Sequence, residues 1–293
     1  MFVVFKTYFM LKPRILLVVI LSLLLGSCSS QTNYDKHWVD LFNGKDLDDW
    51  KIKIAGYPLG ENFGNTFRVE DNLLKVSYEA YEDSLKGRYG HIFHKDKFSA
   101  YLLVAEYRFY DEQTADGAGW AFMNNGLMLH SQSPESMGID QDYPISIECQ
   151  LLGSEGDIQQ PNGNMCSPGT HVEMDGELIT QHCVNADSKP TDGRKWTRVE
   201  ALVLGDSIIK HIIDKDTVLT YEKPVIGGGN VANFDPEVKE DGMLLKEGYI
   251  ALQSESHPTA FRKVKLFNLE PYMDNPEELK KALDYLRNRE DQL

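Results

Sequence analysis

The sequence has 293 residues, of which 42 % are apolar and 11 % aromatic, enough for a sizeable folded core. It carries 45 acidic against 30 basic residues, so its formal charge is −15. A negative field of this size argues against nucleic acids and anionic lipid surfaces as partners.

The N-terminal segment resembles an export signal. Lys12 and Arg14 precede an apolar run from Ile15 to Leu25, which is shorter than the roughly 20 residues of a transmembrane helix. We therefore predict a secretory signal peptide over residues 1–27. Its removal takes away three basic and no acidic residues and moves the formal charge from −15 to −18.

The end of this signal, Leu25-Gly26-Ser27-Cys28, resembles a bacterial lipobox. In such a motif the cysteine becomes the lipidated first residue of the mature protein, and the alternative is an ordinary signal followed by an unmodified cysteine. We expect a lipid anchor on Cys28, a polar tether over residues 28–37, and membrane contact through the lipid alone. Ser29 favours the periplasmic face of the outer membrane or the cell surface as the location.

Three cysteines remain after the signal. Cys149 lies in a strand-like run, whereas Cys166 and Cys183 lie near the two ends of a loop-rich segment. In an oxidising compartment we expect a Cys166–Cys183 disulfide, with Cys149 buried as a small apolar residue. A zinc site that includes His171 and His182 is the rival interpretation, although the spacing fits no common zinc pattern.

From Val39 onward, short runs rich in Val, Ile, Tyr and Phe recur between turn signals such as Asn43-Gly44 and Asp241-Gly242. This rhythm predicts an antiparallel β-sandwich over residues 38–271. The last segment, 272–293, is predicted to be helical, with Asn275 as its N-cap and Pro276 in its first position. The Gly227-Gly228-Gly229 run belongs to a predicted irregular insertion, residues 224–247, of the kind that can border a binding site.

The stretch HVEMDGELIT, residues 171–180, spaces three acids two residues apart, as on one face of a strand. A pair of catalytic carboxylates on one strand is one interpretation. Asp175-Gly176, however, is a strong hairpin signal, so we predict a turn with Glu173 and Glu177 on opposite arms.

Strand alternation separates polar from apolar side chains in several segments. The polar residues predicted to share faces are Glu148 and Gln150, Glu106 and Arg108, His130 and Gln132, and Gln253 and Glu255. Solvated outer faces would explain them, but these residue types also suit sugar hydroxyls, and Trp120 is either an aromatic platform or part of the core.

Seven segments in order resemble the bacterial 3-keto-disaccharide hydrolase family, also described as 3-keto-glucoside 1,2-lyases/3-keto-2-hydroxyglucal hydratases. They cover roughly residues 38–271: LFNGKDLDDW (41–50), AEYRF (105–109), GWAFMNNGLMLHSQ (119–132), DYPISIECQLLG (142–153), NMCSPGTHVEMDGELITQHC (164–183), GYIALQSESHP (248–258) and FRKVKLFNL (261–269). The resemblance implies an all-β, concanavalin A-like jelly-roll sandwich with the C-terminal α-helix appended.

The resemblance also implies a chemistry. A ketone at C3 of a glucoside acidifies the C2 proton, and its loss lets the C1 aglycone leave by elimination. Water then adds to the 3-keto-2-hydroxyglucal. Such a site needs a base, an acid and a group for the enolate oxygen.

On this basis Glu148 and His130 are the expected proton-transfer groups, and Arg108 the expected partner of the carbonyl or of Glu148. The expected substrate contacts are Gln150, Gln253, Trp120, Glu255, His171 and His182. At the position of His130 many relatives carry an arginine, so proton transfer by the histidine and a divalent metal in place of the arginine charge both stay open. No cofactor is otherwise expected.

The expected substrates are oxidised (3-keto) glucosides, and a separate glucoside 3-dehydrogenase must supply them. Two other functions remain open. A non-catalytic carbohydrate-binding lipoprotein would share the sandwich without needing Glu148 and His130 together, and a conventional β-glucanase-like hydrolase would need a carboxylate pair.

Overall fold

A computed structural model of the chain describes residues 1–2, 34–82 and 84–289. The chain divides into Met1–His37 and Trp38–Leu293. The described part of the first unit includes a short 3₁₀ turn at Asp35–His37. The predicted signal segment with its lipobox, including Cys28, falls almost entirely in residues 3–33, outside the described residues. No helix among the described residues is long and apolar enough to cross a membrane.

The second unit contains two antiparallel sheets. Within the described residues the larger has ten strands in the order β11-β10-β15-β14-β13-β6-β17-β4-β3, with β1 paired to β17. Its strands are β1 (Trp38–Asp40), β3 (Phe67–Glu70), β4 (Leu73–Val76), β6 (Ala100–Phe109), β10 (Thr170–Met174), β11 (Glu177–Ile179), β13 (Thr197–Leu204), β14 (Ile208–Ile213), β15 (Asp216–Ile226) and β17 (Thr259–Asn268).

The smaller sheet has seven strands in the part of the chain that the structure describes, in the order β12-β9-β8-β7-β16-β5-β2. They are β2 (Trp50–Ile54), β5 (Gly90–Phe98), β7 (Asn124–Ser131), β8 (Ile147–Leu152), β9 (Met165–Cys166), β12 (Cys183–Val184) and β16 (Gly248–Ser254). Alternation along β8 turns Ile147, Cys149 and Leu151 toward the larger sheet, where they join Leu103 and Tyr107 in one apolar core. The predicted all-β jelly-roll sandwich is confirmed.

The C-terminal helix, α1, spans Pro276–Asn288, and the side chain of Asn275 accepts hydrogen bonds from the backbone N–H groups of Glu277 and Glu278. The helix packs on the outer face of the larger sheet, where the ring of Tyr285 lies 5.7 Å from that of Phe267. A C-terminal helix with Asn275 as its N-cap and Pro276 in its first position is confirmed. The helix begins four residues later than the predicted segment 272–293, because Glu270–Tyr272 form a 3₁₀ turn.

The acidic stretch at residues 171–180 is a hairpin. Strands β10 and β11 pair with Met174 opposite Glu177, and Asp175 and Gly176 adopt φ values of 52° and 81° between them. Glu173 forms an ion pair with Lys223. The predicted turn is confirmed, and this stretch does not form a carboxylate pair on one strand.

Candidate active site

The face of the smaller sheet that points away from the core carries a set of polar side chains. Strand pairing places Glu148 beside Met128 and Gln150 beside Gly126. Two strands along the sheet from β8, Gln253 on β16 lies beside His91 on β5. The apolar residues that alternate with them along each strand point into the core, so the polar face is available to form a site.

A cavity of about 660 Å³ lies over this face, within the size range of small-molecule sites. Its walls come from four strands, from the loops before β5, β7 and β8, and from the loop after β15. The lining residues are Tyr89, Trp120, Asn124, Asp142, Tyr143, Glu148, Gln150, Cys166, Pro168, His182, Cys183, Asn230, Val231, Ala232 and Glu255.

Glu148 lines the cavity, with its carboxyl group over Gly126. A Cβ atom added to Gly126 would come within 2.4 Å of Glu148 Oε1, so the glycine provides the space that the carboxyl group occupies. Glu148 is 6 % exposed, and its Oε1 has no hydrogen-bond partner among the described residues. Burial, and secondly the nearby Glu255, raise the pKa of Glu148 well above its usual value.

Glu255 is the second carboxyl group of the cavity and is 3 % exposed. The hydroxyl of Tyr143 donates a hydrogen bond of 2.7 Å to Glu255 Oε1. Burial raises the pKa of Glu255, and the hydrogen bond from Tyr143 opposes that rise. The sequence analysis places Glu255 among the substrate contacts. The end of β16 also brings it close enough to Glu148 for the two carboxyl groups to interact.

The two carboxyl groups have different environments, and this difference suits acid–base chemistry. Burial and the neighbouring Glu255 both raise the pKa of Glu148, and its Oε1 accepts no hydrogen bond from the described residues that would favour the ionised form. Glu255 has such a hydrogen bond from Tyr143. Near neutral pH the pair therefore favours a proton on Glu148 and a charge on Glu255.

Gln150, Trp120 and His182, three of the predicted substrate contacts, line the same cavity. The indole of Trp120 is 59 % exposed. Asn124 donates a hydrogen bond of 3.4 Å to the carbonyl oxygen of Trp120, which helps to hold the loop. Burial lowers the pKa of His182, so its ring is neutral near pH 7.

Cys166 and Cys183 form a disulfide in the structure, the pairing that the sequence favours, and Cys149 is buried as a free cysteine. Ligand atoms of Cys166, His182 and Cys183 lie within 4.8 Å of one another. Both sulfurs are bonded to each other, however, so in this form they are not the thiolates that a zinc site needs.

Gln253 is fully buried beneath the cavity rather than lining it. Neither atom of its side-chain amide has a hydrogen-bond partner among the described residues, and the same holds for both ring nitrogens of His91 beside it. The ring of Tyr143 covers His91 at 5.8 Å. Buried polar groups normally have hydrogen-bond partners, and these four atoms next to Tyr143 depart from that rule.

His130 does not join Glu148, and its predicted grouping with the site is wrong. β7 contains a bulge opposite β16 between Met128 and Ser131, and His130 takes a φ of 48°. Its ring therefore turns into the sandwich, 6.2 Å from Tyr101, and Nε2 lies 3.1 Å from the carbonyl oxygen of Gly205. One extra residue in a strand reverses its alternation.

Arg108 is also placed away from the cavity, contrary to the prediction. It shares a face with Glu106, as expected, but that face is the outer surface of the larger sheet. Its guanidinium lies 4.7 Å from the centre of the Trp196 ring. His171 lies on β10 of the same sheet, with its ring against Gly227 and Gly228, and it does not line the cavity.

The structure adds Tyr143, Tyr89 and Asn124 to the site, which the sequence analysis did not select. Tyr143 stands five residues before Glu148 in the segment DYPISIE, and an aromatic residue in the loop directly before the strand of Glu148 is the signal that was available. The loop after β15 contributes Val231 and its neighbours, so the irregular insertion does border a cavity.

The chain is similar in shape to several solved structures, at low identity. Two proteins from Parabacteroides distasonis that are proposed to be glycosyl hydrolases match with TM-scores of 0.47. They are 14 % and 15 % identical, cover 79 % and 80 % of this chain, and are themselves covered to 98 % and 94 %. A variant of LamA from Zobellia galactanivorans with bound laminaritriose and laminaritetraose has a TM-score of 0.45 and 8 % identity, over 79 % of this chain and 97 % of its own.

No curated protein matches the chain. The family of 3-keto-alpha-glucoside-1,2-lyase-like domains matches residues 37–266. That range includes every strand of both sheets except the end of β17, together with both carboxyl groups of the cavity. The chain therefore belongs to the family of 3-keto-alpha-glucoside-1,2-lyase-like domains.

Proposed function

We propose that the protein cleaves 3-keto-glucosides by elimination and then hydrates the product, with Glu255 as the base and Glu148 as the acid. The observation that carries this proposal is the pair of buried, interacting carboxyl groups in one cavity, one of them hydrogen-bonded by Tyr143. Membership of the lyase-like family supports the choice of a 3-keto substrate.

In the elimination step the ionised Glu255 removes the C2 proton, which the adjacent C3 ketone has made acidic. The electron pair of that C–H bond first forms the C2=C3 bond of an enolate with its charge on the C3 oxygen. Collapse of the enolate restores the C3 ketone and forms the C1=C2 double bond as the C1–O bond breaks. Glu148 gives its proton to the leaving oxygen, so the aglycone departs as a neutral alcohol. The transient enolate oxygen needs hydrogen-bond donors, and the amides of Gln150 and Asn124 are available in the cavity wall.

The hydration step restores both groups. Glu148, now ionised, takes a proton from water as the hydroxyl adds to C1. Glu255, now protonated, returns a proton to C2. The product is 3-keto-glucose, and each carboxyl group ends in the protonation state in which it began.

The carboxyl pair also matches what a conventional retaining or inverting glycosidase requires, so the substrate must decide between the two. The carbohydrate-binding alternative does not call for the pair, because burying two interacting acids is costly and a binding surface gains nothing from it. We further propose that the protein is anchored through Cys28 at the periplasmic face of the outer membrane or the cell surface. A separate glucoside 3-dehydrogenase would supply its substrate.

The test is aglycone release from matched 3-keto and unoxidised glucosides, with and without a chelator. The proposal expects release from the 3-keto form alone. Glu148→Gln and Glu255→Gln should each lower kcat at least about a hundredfold, whereas Glu240→Gln, at an exposed position away from the cavity, should leave it unchanged. Cleavage of only the unoxidised glucoside would establish a conventional hydrolase instead.

A further inference from the structure

The two ends of the cavity differ in chemical character on either side of Glu148. Strand pairing sets Cys166 directly opposite Glu148, and Cys183 opposite Cys166. The disulfide is therefore the next neighbour of the acid across the sheet. Pro168 and Val231, both buried, also line this side, together with the polar but uncharged His182 and Asn230, which are their chain or spatial neighbours.

This side of the cavity is closely packed. A Cβ atom added to Gly169 would come within 3.1 Å of Ile145 and 3.2 Å of Val231, so the loop rests on the sheet at this point. The backbone N–H of Gly169 bonds to the carbonyl oxygen of Gly229 at 2.9 Å. The N–H of Ala232 bonds to Asp142 Oδ1 at 2.8 Å, an atom that also accepts from the N–H of Tyr143 and so has less capacity left for a ligand hydroxyl.

The strands on the other side of Glu148 form the polar end of the cavity. Asn124 lies on β7, Glu255 follows the end of β16, and Gln150 shares β8 with Glu148. The exposed indole of Trp120, four residues before Asn124 in the chain, lines the same cavity. Gln150 stands two residues along β8 from Glu148, a distance of about 6.6 Å in a strand and close to the width of one pyranose ring. Sugar hydroxyls find donors and acceptors here, and the C–H face of a sugar suits an indole.

The inference rests on the proposed elimination, in which the oxidised sugar lies at the polar end and the oxygen protonated by Glu148 points toward the disulfide. We propose that the compartment formed by the Cys166–Cys183 disulfide, Pro168, Val231 and Ala232 takes an apolar aglycone. The favoured substrates are then 3-keto-glucosides of alkyl or aryl alcohols rather than of a second sugar.

The test compares hexyl and methyl 3-keto-glucosides with a 3-keto disaccharide. Hexanol and methanol leave with similar ease, and a sugar alcohol, being more acidic, leaves more easily. A higher kcat/KM for the hexyl substrate therefore reports the compartment rather than the chemistry. Each buried methylene is worth roughly a fourfold gain, so the hexyl substrate should exceed the other two by at least about tenfold. Val231→Asn, and the exposed Ala232→Asp in case the first variant folds poorly, should remove that preference. Met243→Asn, on the same loop with a 46 % exposed side chain, should keep it.

A disaccharide cleaved as well as the hexyl substrate, or a preference that survives both cavity variants, would overturn the inference and leave the elimination standing. Absence of turnover with every 3-keto substrate would instead overturn the proposed function. In that case, the binding of hexyl and methyl glucosides, measured by calorimetry, tests the apolar compartment independently of turnover. Tighter hexyl binding that Val231→Asn removes supports it, and equal binding refutes it.

Discussion

The hydroxyl of Tyr143 should set the pH at which Glu255 becomes active. It donates a hydrogen bond of 2.7 Å to Glu255, while the ring of Tyr143 packs 5.3 Å from Tyr89 and 5.8 Å from His91. Tyr143→Phe keeps the ring and its packing and removes only the donor. The variant therefore isolates one electrostatic contact.

The size of the effect follows from the burial of the pair. Glu255 is 3 % exposed, so water replaces the lost donor poorly. A hydrogen bond to a charged group is worth about 1.5–3 kcal/mol, and one pKa unit corresponds to about 1.4 kcal/mol. Loss of the donor should raise the pKa of Glu255 by about one to two units. Because the base acts when ionised, activity falls as pH falls through this pKa, and the acidic limb should move to higher pH by that amount.

The assay is kcat/KM for a 3-keto-glucoside from about pH 4 to pH 9, with ionic strength held constant. Tyr249→Phe is the control, because Tyr249 lies on the same sheet face but packs beside Lys97 rather than Glu255. A folded Tyr143→Phe variant with an unmoved acidic limb would refute the assignment of Glu255 as the base.

Three further results are expected. Gly126→Ala should lower kcat about ten- to a hundredfold, because its Cβ would displace the Glu148 carboxyl group, whereas Gly119→Ala, which meets no atom within 4 Å, should not. Glu148→Gln should raise the melting temperature more at pH 8 than at pH 5. A carboxyl group whose pKa is raised in the folded state contributes its full stability only below the pKa that it has in the unfolded chain, and it loses that contribution as pH rises. A change in melting temperature that is the same at both pH values would contradict the raised pKa. Arg108→Gln should keep full turnover, since Arg108 lies on the opposite sheet, and a large loss would return it to the site.

The sequence was sufficient for features that depend on local chemistry. The hairpin at Asp175-Gly176 needs only residues that tolerate positive φ, and helix α1 begins where Asn275 can cap it. Alternation along β8 likewise separated Glu148 and Gln150 from the core, because that strand is regular across this stretch.

The errors arise where position depends on partners distant in the chain. Arg108 and Glu148 both stand on polar strand faces, but alternation does not tell which of two sheets a strand joins. His130 was misplaced by a bulge that appears only when β7 is paired with β16. The meeting of Glu148, Tyr143 and Glu255 joins the loop before β8 to the end of β16, 112 residues apart for Tyr143 and Glu255, and no periodicity reports such a contact.

The most direct test of the account supplies the proposed intermediate, 3-keto-2-hydroxyglucal, to the protein in heavy water. Glu255 then holds a deuteron from solvent, so hydration predicts 3-keto-glucose with one deuterium at C2 and none at C4, the position that spontaneous enolisation would also label. This conversion should be lost in Glu255→Gln. A protein that releases the aglycone from a 3-keto-glucoside but leaves the glucal unconverted would contradict the mechanism.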